Sequence, residues 1–140
     1  MRTFPLSIIC SPELSKKECD FTTSHQQKKL CHIQNDHDAL SLKLFEKYLQ
    51  RKDIILDTPL EVWSIESVKK CVMSNLGIAI LPRFTVETEL KNGSLKEIKI
   101  DSPRLEMTAI YAFNKNRWQS PPMQCFLNSL NNFGKFKATT

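Results

Sequence analysis

The sequence predicts an α/β protein with a mostly parallel sheet flanked by helices, and two observations carry that expectation. The first is the stretch Trp63 to Pro82, WSIESVKKCVMSNLGIAILP, in which Ile65, Val68, Cys71, Val72 and Leu76 recur at spacings of three and four while Glu66, Lys69, Lys70 and Ser74 fall on the other side. That is an amphipathic helix, with Ser64 placed to cap its start, Glu66 suited to the positive end, and Gly77 supplying a left-handed stop. The second lies just beyond the glycine. Ile78-Ala79-Ile80-Leu81 is apolar without alternation and is closed by Pro82, the pattern of a strand covered on both faces.

The other elements come in order along the chain. Leu6 to Cys10 is apolar and β-branched enough for a strand ended by Pro12, and the polar stretch Glu13 to Lys29, without a sustained period, reads as a surface connection. Leu30 to Ile33 is a second short strand. Gln34-Asn35-Asp36 then forms a loop with a cap for a helix from about His37 to Arg51. In that helix Leu40, Leu44 and Tyr48 make one stripe and Leu42, Phe45 and Leu49 another, a face wide enough to meet another chain as well as a sheet. A short strand is expected between Leu60 and Trp63. Beyond Pro82 a short helix spans Phe84 to Leu90 and ends at Gly93, and strands are expected over Leu95 to Ile100 and Met107 to Phe113, with Asp101-Ser102-Pro103 turning between them. Ser120-Pro121 starts a last helix whose stripe of Met123, Phe126, Leu127, Leu130 and Phe133 is closed by Gly134, and Lys135 to Thr140 are expected to fray.

Composition bounds the function. A chain of 140 residues with 41% hydrophobic content has the size of one ordinary domain, and its net charge of +5 comes from lysines scattered over helix faces rather than from a basic stripe interleaved with aromatics. No run approaches the about 18 apolar residues of a membrane span, so a soluble, cytoplasmic protein is expected. The five cysteines, Cys10, Cys19, Cys31, Cys71 and Cys125, are odd in number and contain no CxxC pair, with Cys71 and Cys125 on apolar helix faces. His25, Cys31, His32 and His37 come nearest to a metal or nucleophile cluster. Adjacent residues on a strand point to opposite faces, however, which separates Cys31 from His32. Neither a metal, a cofactor nor a catalytic residue is assigned.

The run SIESVKKCVMSNLGIAILP resembles the signature of the effector-binding domain of LysR-type transcriptional regulators, where a helix leads through a glycine turn into a GIAILP-like strand. The short helix from Phe84, the turn Lys91-Asn92-Gly93-Ser94-Leu95, the strand Thr108 to Phe113, Arg117, Ser120-Pro121 and the final apolar helix fit the same pattern, and Pro5 to Pro12 is similar to the strand before the family's second lobe. The resemblance implies a periplasmic-binding-protein-like (type II) lobe with part of a second lobe. Residues 1–113 would be the second lobe with both crossing strands, and 114–140 the terminal helix of an otherwise missing first lobe, plus the tail. It implies no enzyme. The DNA-binding helix-turn-helix head of such regulators has no counterpart in this chain, so contact with DNA is expected only through a head outside it.

Ligands of open α/β sheets sit beyond the carboxyl ends of strands, where helix N-termini offer N–H groups to anions. Two such places are Gln34-Asn35-Asp36 and Trp63-Ser64-Ile65, with Pro82 and Phe84 as a third wall. By resemblance they face the cleft between lobes and hold a small-molecule effector, often a carboxylate, in a protein that pairs as a homodimer. Against this, Ser64 and Asp36 are explained by capping alone, Asp36 would repel an anion, and Trp63 suits a core position as well. The alternatives to an effector sensor are a solute-binding protein of the same architecture, which a secretion signal and few free cysteines would mark, and an enzyme using Cys31, His32 or His37.

Overall fold

The computed structural model describes residues 2–17, 19–36, 38–103, 105–114 and 116–132. The chain divides into two compact units, Pro5–Met107 and a smaller one made of Met1–Phe4 with Thr108–Thr140. Its elements are, in order, β1 (Arg2–Cys10), α1 (Pro12–Lys17), β2 (Gln26–Gln34), α2 (Leu40–Lys52), β3 (Ile54–Glu61), α3 (Ile65–Met73), β4 (Gly77–Pro82), a 3-10 turn (Arg83–Thr85), α4 (Glu87–Asn92), β5 (Lys96–Glu97), β6 (Glu106–Ala109) and α5 (Pro121–Asn132).

The sheet runs β3-β2-β4-β1-β5, with β6 also paired to β1. Its parallel part is β3-β2-β4, and β1 lies antiparallel to β4 and to β5, so the sheet is mixed. Alternation along the strands divides the core between two faces. Ile8 and Cys10 of β1 and Ile78 and Ile80 of β4 join Phe45 and Tyr48 of α2 and the loop residue Phe21 on one face. Ile9, Ala79, Leu81 and Ile33 join Val68 and Val72 of α3, with Val86 and Leu95, on the other. The continuous burial of β4 is the consequence: Gly77 to Leu81 are all buried because helices cover both sides.

Several elements depart from the sequence reading, each for a physical reason. The Glu13–Lys29 stretch is not a plain connection. Ser11 accepts a hydrogen bond from the Leu14 N–H at 3.1 Å and starts α1, Phe21 is fully buried, and β2 begins already at Gln26. Lys28 is buried there because its stem lies along the core, with Nζ 5.0 Å from the Phe21 ring centroid. The strand read at Leu60 to Trp63 is in fact β3 from Ile54 to Glu61, and it contains Pro59, which an edge strand tolerates. β5 keeps two residues of Leu95 to Ile100, and β6 stops at Ala109 with Ile110 exposed.

Helix ends differ too. Helix α2 has Ala39 at its N-cap with no side-chain cap, so Gln34-Asn35-Asp36 does not cap it; Asp36 Oδ1 accepts instead from the Asp38 N–H at 2.9 Å, and the start read at His37 lies outside the described residues. Its two stripes are largely used within the chain, since Leu42, Phe45 and Tyr48 are buried, Leu44 and Leu49 are half-buried, and only Leu40 of the six is exposed, at 56%. Helix α3 ends at Ser74, and the left-handed residue after it is Asn75 (φ 63°), not Gly77. Gly77 serves a different need. A Cβ there would stand 2.1 Å from the carbonyl oxygen of Cys31, the residue opposite it on β2, so only glycine lets the two strands pair. Gly93 does take the left-handed conformation (φ 81°) that ends α4. In the smaller unit no described residue of α5 is buried, and the Tyr111 hydroxyl donates to Asn131 Oδ1 at 2.8 Å. Cys125 on α5 is exposed rather than apolar-packed.

Candidate functional site

Three parallel strands end on one edge of the sheet, β2 at Gln34, β3 at Glu61 and β4 at Pro82. The register pairs Gln34 with Glu61, and the Val62 N–H donates to the Gln34 carbonyl at 2.9 Å. The chain therefore enters Trp63-Ser64-Ile65 from a point fastened to the end of β2, which brings Gln34 and Asn35 beside the start of α3. Ile65 is half-buried against the second core face, while Asn35 and Ser64 are exposed and Trp63 is entirely in solvent. Trp63 thus takes no part in the core.

Ser64 sits in extended conformation (φ −151°, ψ 157°) and its Oγ accepts from the Ser67 N–H at 3.1 Å, with the Ser67 hydroxyl 3.0 Å away. Its cap role is real. The N–H groups of Ile65 and Glu66, which precede the first intrahelical donor, find no acceptor among the described residues, and they carry the positive end of the α3 dipole. The third wall is Pro82, half-buried, and Phe84, 59% exposed on the 3-10 turn.

This third wall is tied to the second by a residue that periodicity placed outward. Lys69 is buried on α3 with its Nζ 2.8 Å from Glu66, 2.8 Å from Glu89 of α4 and 3.3 Å from the Thr85 carbonyl, to which it donates. The Thr85 hydroxyl donates in turn to the Pro82 carbonyl at 2.7 Å. Hydrogen bonds donated to Glu66 and Glu89 hold the Lys69 ammonium pKa above its usual value, and Lys69 holds the Glu89 carboxyl below its own. The i,i+3 pair with Glu66 was visible in the sequence, but no local signal announces Glu89, twenty positions away. Arg83, on the same turn, is bound by both carboxylate oxygens of Glu97, at 2.9 and 2.7 Å, and Glu97 accepts from the buried Ser7 hydroxyl at 2.6 Å.

Lys69 and Arg83 are thus engaged by carboxylates, which leaves the α3 N-terminus as the source of attraction for an anion that these two cations do not supply. Behind the edge, His32 is buried on β2 with its ring 5.5 Å from Phe45, and its Nε2 has no hydrogen-bond partner among the described residues. Burial pushes its pKa down to about 4, with Gln34 opposing weakly, so the ring is neutral. Cys31 packs on the other face and donates its thiol to the Thr58 carbonyl at 3.1 Å, with burial raising its pKa. The two side chains diverge across the strand, and no group of three or more potential metal ligands occurs among the described residues.

A hollow of about 600 Å³ lies elsewhere, lined by Ser24, Arg51, Lys52 and Ile100 to Pro103. It adjoins the carboxyl end of α2, the negative end of that helix, and Lys52 is committed there to Asp101 at 3.0 Å. The strand-end edge is the better candidate on physical grounds, because there the strand ends and a helix N-terminus converge. No helix among the described residues is long and apolar enough to cross a membrane.

Residues 1–134 match the LysR substrate binding domain. The chain is 32% identical over 122 residues to YfiE of Escherichia coli K12, an uncharacterised HTH-type transcriptional regulator, covering 87% of this chain and 41% of that protein. Among solved structures, the regulatory domain of a Salmonella typhimurium HypT mutant superposes with a TM-score of 0.72 at 20% identity, covering 93% of this chain and 62% of that one. The Synechocystis CcmR regulatory domain in complex with 2-PG gives 0.66 at 18% identity over 96% and 65%. The chain spans less than half of its E. coli relative's length.

Proposed function

The chain belongs to the LysR substrate binding domain family, and on that premise we propose that it is the effector-sensing part of a LysR-type transcriptional regulator, taking a small anionic metabolite at the strand-end edge formed by Gln34, Asn35, Trp63, Ser64, Ile65, Pro82 and Phe84. The observation that carries this reading is the fastening of Val62 to Gln34, which sets two of the three walls side by side. The N–H groups of Ile65 and Glu66 meet the charge, and the exposed rings of Trp63 and Phe84 flank it. The family is one of transcriptional regulator domains and not of enzymes. In the parent regulator, residues 1–113 act as the second lobe with its crossing strands and 114–140 as the terminal helix of the first lobe. Effector binding alters the arrangement of paired copies, and DNA is contacted through a helix-turn-helix head. The ligand named for the Synechocystis domain, 2-PG, belongs to the same anionic class.

The test uses tryptophan emission. With Trp118→Phe, Trp63 is the sole tryptophan of the chain, which has two. Titration with 2-PG and a panel of small carboxylates and phosphate esters should shift its emission saturably, and backbone amide signals of Gln34, Asn35, Ser64 and Ile65 should move with the same midpoint. Saturable binding whose amide shifts cluster away from these residues would displace the site, and absence of any response across the panel would remove the anionic class.

A further inference from the structure

None of the five cysteines forms a disulfide, and two of them meet. Cys10 ends β1 fully buried in the first core face, and Cys19, past the short helix α1, returns to pack against that same cluster. The Cys19 thiol donates to the Leu14 carbonyl at 3.2 Å, which holds it under the helix. The Cys10 thiol shares that cluster with Cys19 and is hydrogen-bonded to the Cys19 and Ser15 side chains. Ser11, buried between them in sequence, starts α1 by capping Leu14 and so fixes the return of the chain. Cys31 and Cys71 belong to the opposite face of the sheet, and Cys125 is exposed on α5.

We propose that Cys10 and Cys19 are a redox-active dithiol, a modification site that a peroxide-class oxidant converts to an intramolecular disulfide. Cys19, half-buried, is the sulfur that solvent reaches, whereas Cys10 is sealed and its proton is held on by Cys19 and by burial. Cys19 sulfur attacks the peroxide oxygen, the O–O bond breaks, and a sulfenic acid and one water form. Cys10 sulfur then attacks the Cys19 sulfur; the S–OH bond breaks, and hydroxide leaves with the Cys10 proton as a second water. Two thiols are oxidised by two electrons and one hydrogen peroxide is reduced to two waters. The chain between the two cysteines already brings them together, so no refolding is required for the bond to form.

The 140-residue chain itself is the test material. After treatment with hydrogen peroxide, unfolding, alkylation and digestion, a Cys10–Cys19 linked peptide lighter by two hydrogens should appear and vanish on reduction with dithiothreitol. In Cys10→Ala the Cys19 sulfenic acid should persist and be captured by dimedone, while the wild-type protein gives little adduct at that position. Alkylation of both Cys10 and Cys19 after the exposed Cys125 has been consumed would overturn the proposal. So would linkage of Cys19 to any other cysteine, or equal yields of the linked peptide from folded and from urea-unfolded protein.

Discussion

Gly77→Ala tests whether the β2–β4 pairing at the centre of the sheet rests on the missing side chain. The added Cβ would meet the Cys31 carbonyl oxygen at 2.1 Å and its carbon at 2.9 Å, both backbone atoms that cannot rotate away. Relief requires the strands to part by about 1 Å, which carries ladder bonds of ~2.9 Å beyond hydrogen-bonding range. Loss of two such bonds at ~1 kcal/mol each, plus overpacking strain of ~1–3 kcal/mol, gives a destabilisation of roughly 3–5 kcal/mol. Gly93→Ala is the control, because its φ of 81° disfavours a side chain while nothing lies within 4 Å of the added atom; its cost should be only about 1–2 kcal/mol. Urea unfolding followed by circular dichroism reads both. At an m-value of ~2 kcal/mol/M the midpoint should fall by about 2 M for Gly77→Ala and by under about 1 M for Gly93→Ala. A Gly77→Ala midpoint no lower than that of Gly93→Ala would refute the close-approach argument.

The buried histidine and the exposed helix give two further outcomes. His32 titrates near pH 4 when folded and at the ordinary value of 6.5 when unfolded, so the unfolded chain binds the extra proton between those values. Stability is therefore full above the unfolded pKa and declines as pH falls toward the folded one, by at most about 1.4 kcal/mol per pH unit. Glu89 and Asp101, whose pKa values are held down by Lys69 and Lys52, lose their contribution as pH falls through their ordinary values of 4.5 and 3.8, below the lower of the two pH values compared. Urea midpoints at about pH 7 and about pH 5 should differ in the wild type and converge in His32→Leu; an equal drop in both would exclude His32 as the cause. Helix α5 carries Met123 and Phe126, 36% and 62% exposed, with Leu127 and Leu130 half-buried, and pairing of copies through this stripe, worth roughly 1.5–3 kcal/mol for each large side chain fully buried, should be lost in a Phe126→Asp, Leu130→Asp double variant. Sedimentation should then change from dimer to monomer, and a wild-type monomer at micromolar concentration would end that reading.

What the sequence disclosed was local. The cap at Ser64, the amphipathic helix and the buried strand Ile78 to Leu81 are each written in neighbouring residues and are present, although the helix stops at Met73, leaving Leu76 exposed, and the strand already includes Gly77. The misreadings arise where a distant partner decides. Gly77 looked like a helix stop because its real constraint, the Cys31 carbonyl, is contributed by a strand more than forty positions earlier. Lys69 looked solvated because its second carboxylate belongs to α4. Asp57-Thr58-Pro59 carries turn residues, yet it continues β3 because the edge position leaves the Pro59 nitrogen no bond to make. The direction of β1, antiparallel to β4, is set by topology and has no signature in its own residues. The candidate site was legible to the extent that its residues lie at strand ends and a helix cap, and illegible in the links between them.

Those links constrain how a bound ligand can be felt. The first wall is held to the second by a backbone bond from Val62 to Gln34, and the α3 helix is held to the third through Lys69, Thr85 and Pro82. Lys69 has three protons and three acceptors, Glu66, Glu89 and the Thr85 carbonyl, so its donor capacity is met in this one arrangement. A buried ion pair of this kind is weak evidence for stability, because desolvation offsets much of the attraction, but it does select one geometry over its neighbours. Displacement of α3 along its axis lengthens the contact to Glu89 and Thr85 while leaving that to Glu66, which rides on the same helix, unchanged. Movement at the Ser64 end must therefore either carry residues 82–89 with it or leave the ammonium short of acceptors inside the protein, and the first course is the less costly. On the proposed reading, a ligand at the N–H groups of Ile65 and Glu66 would bear on the Phe84 turn through α3 and Lys69 as well as by direct contact.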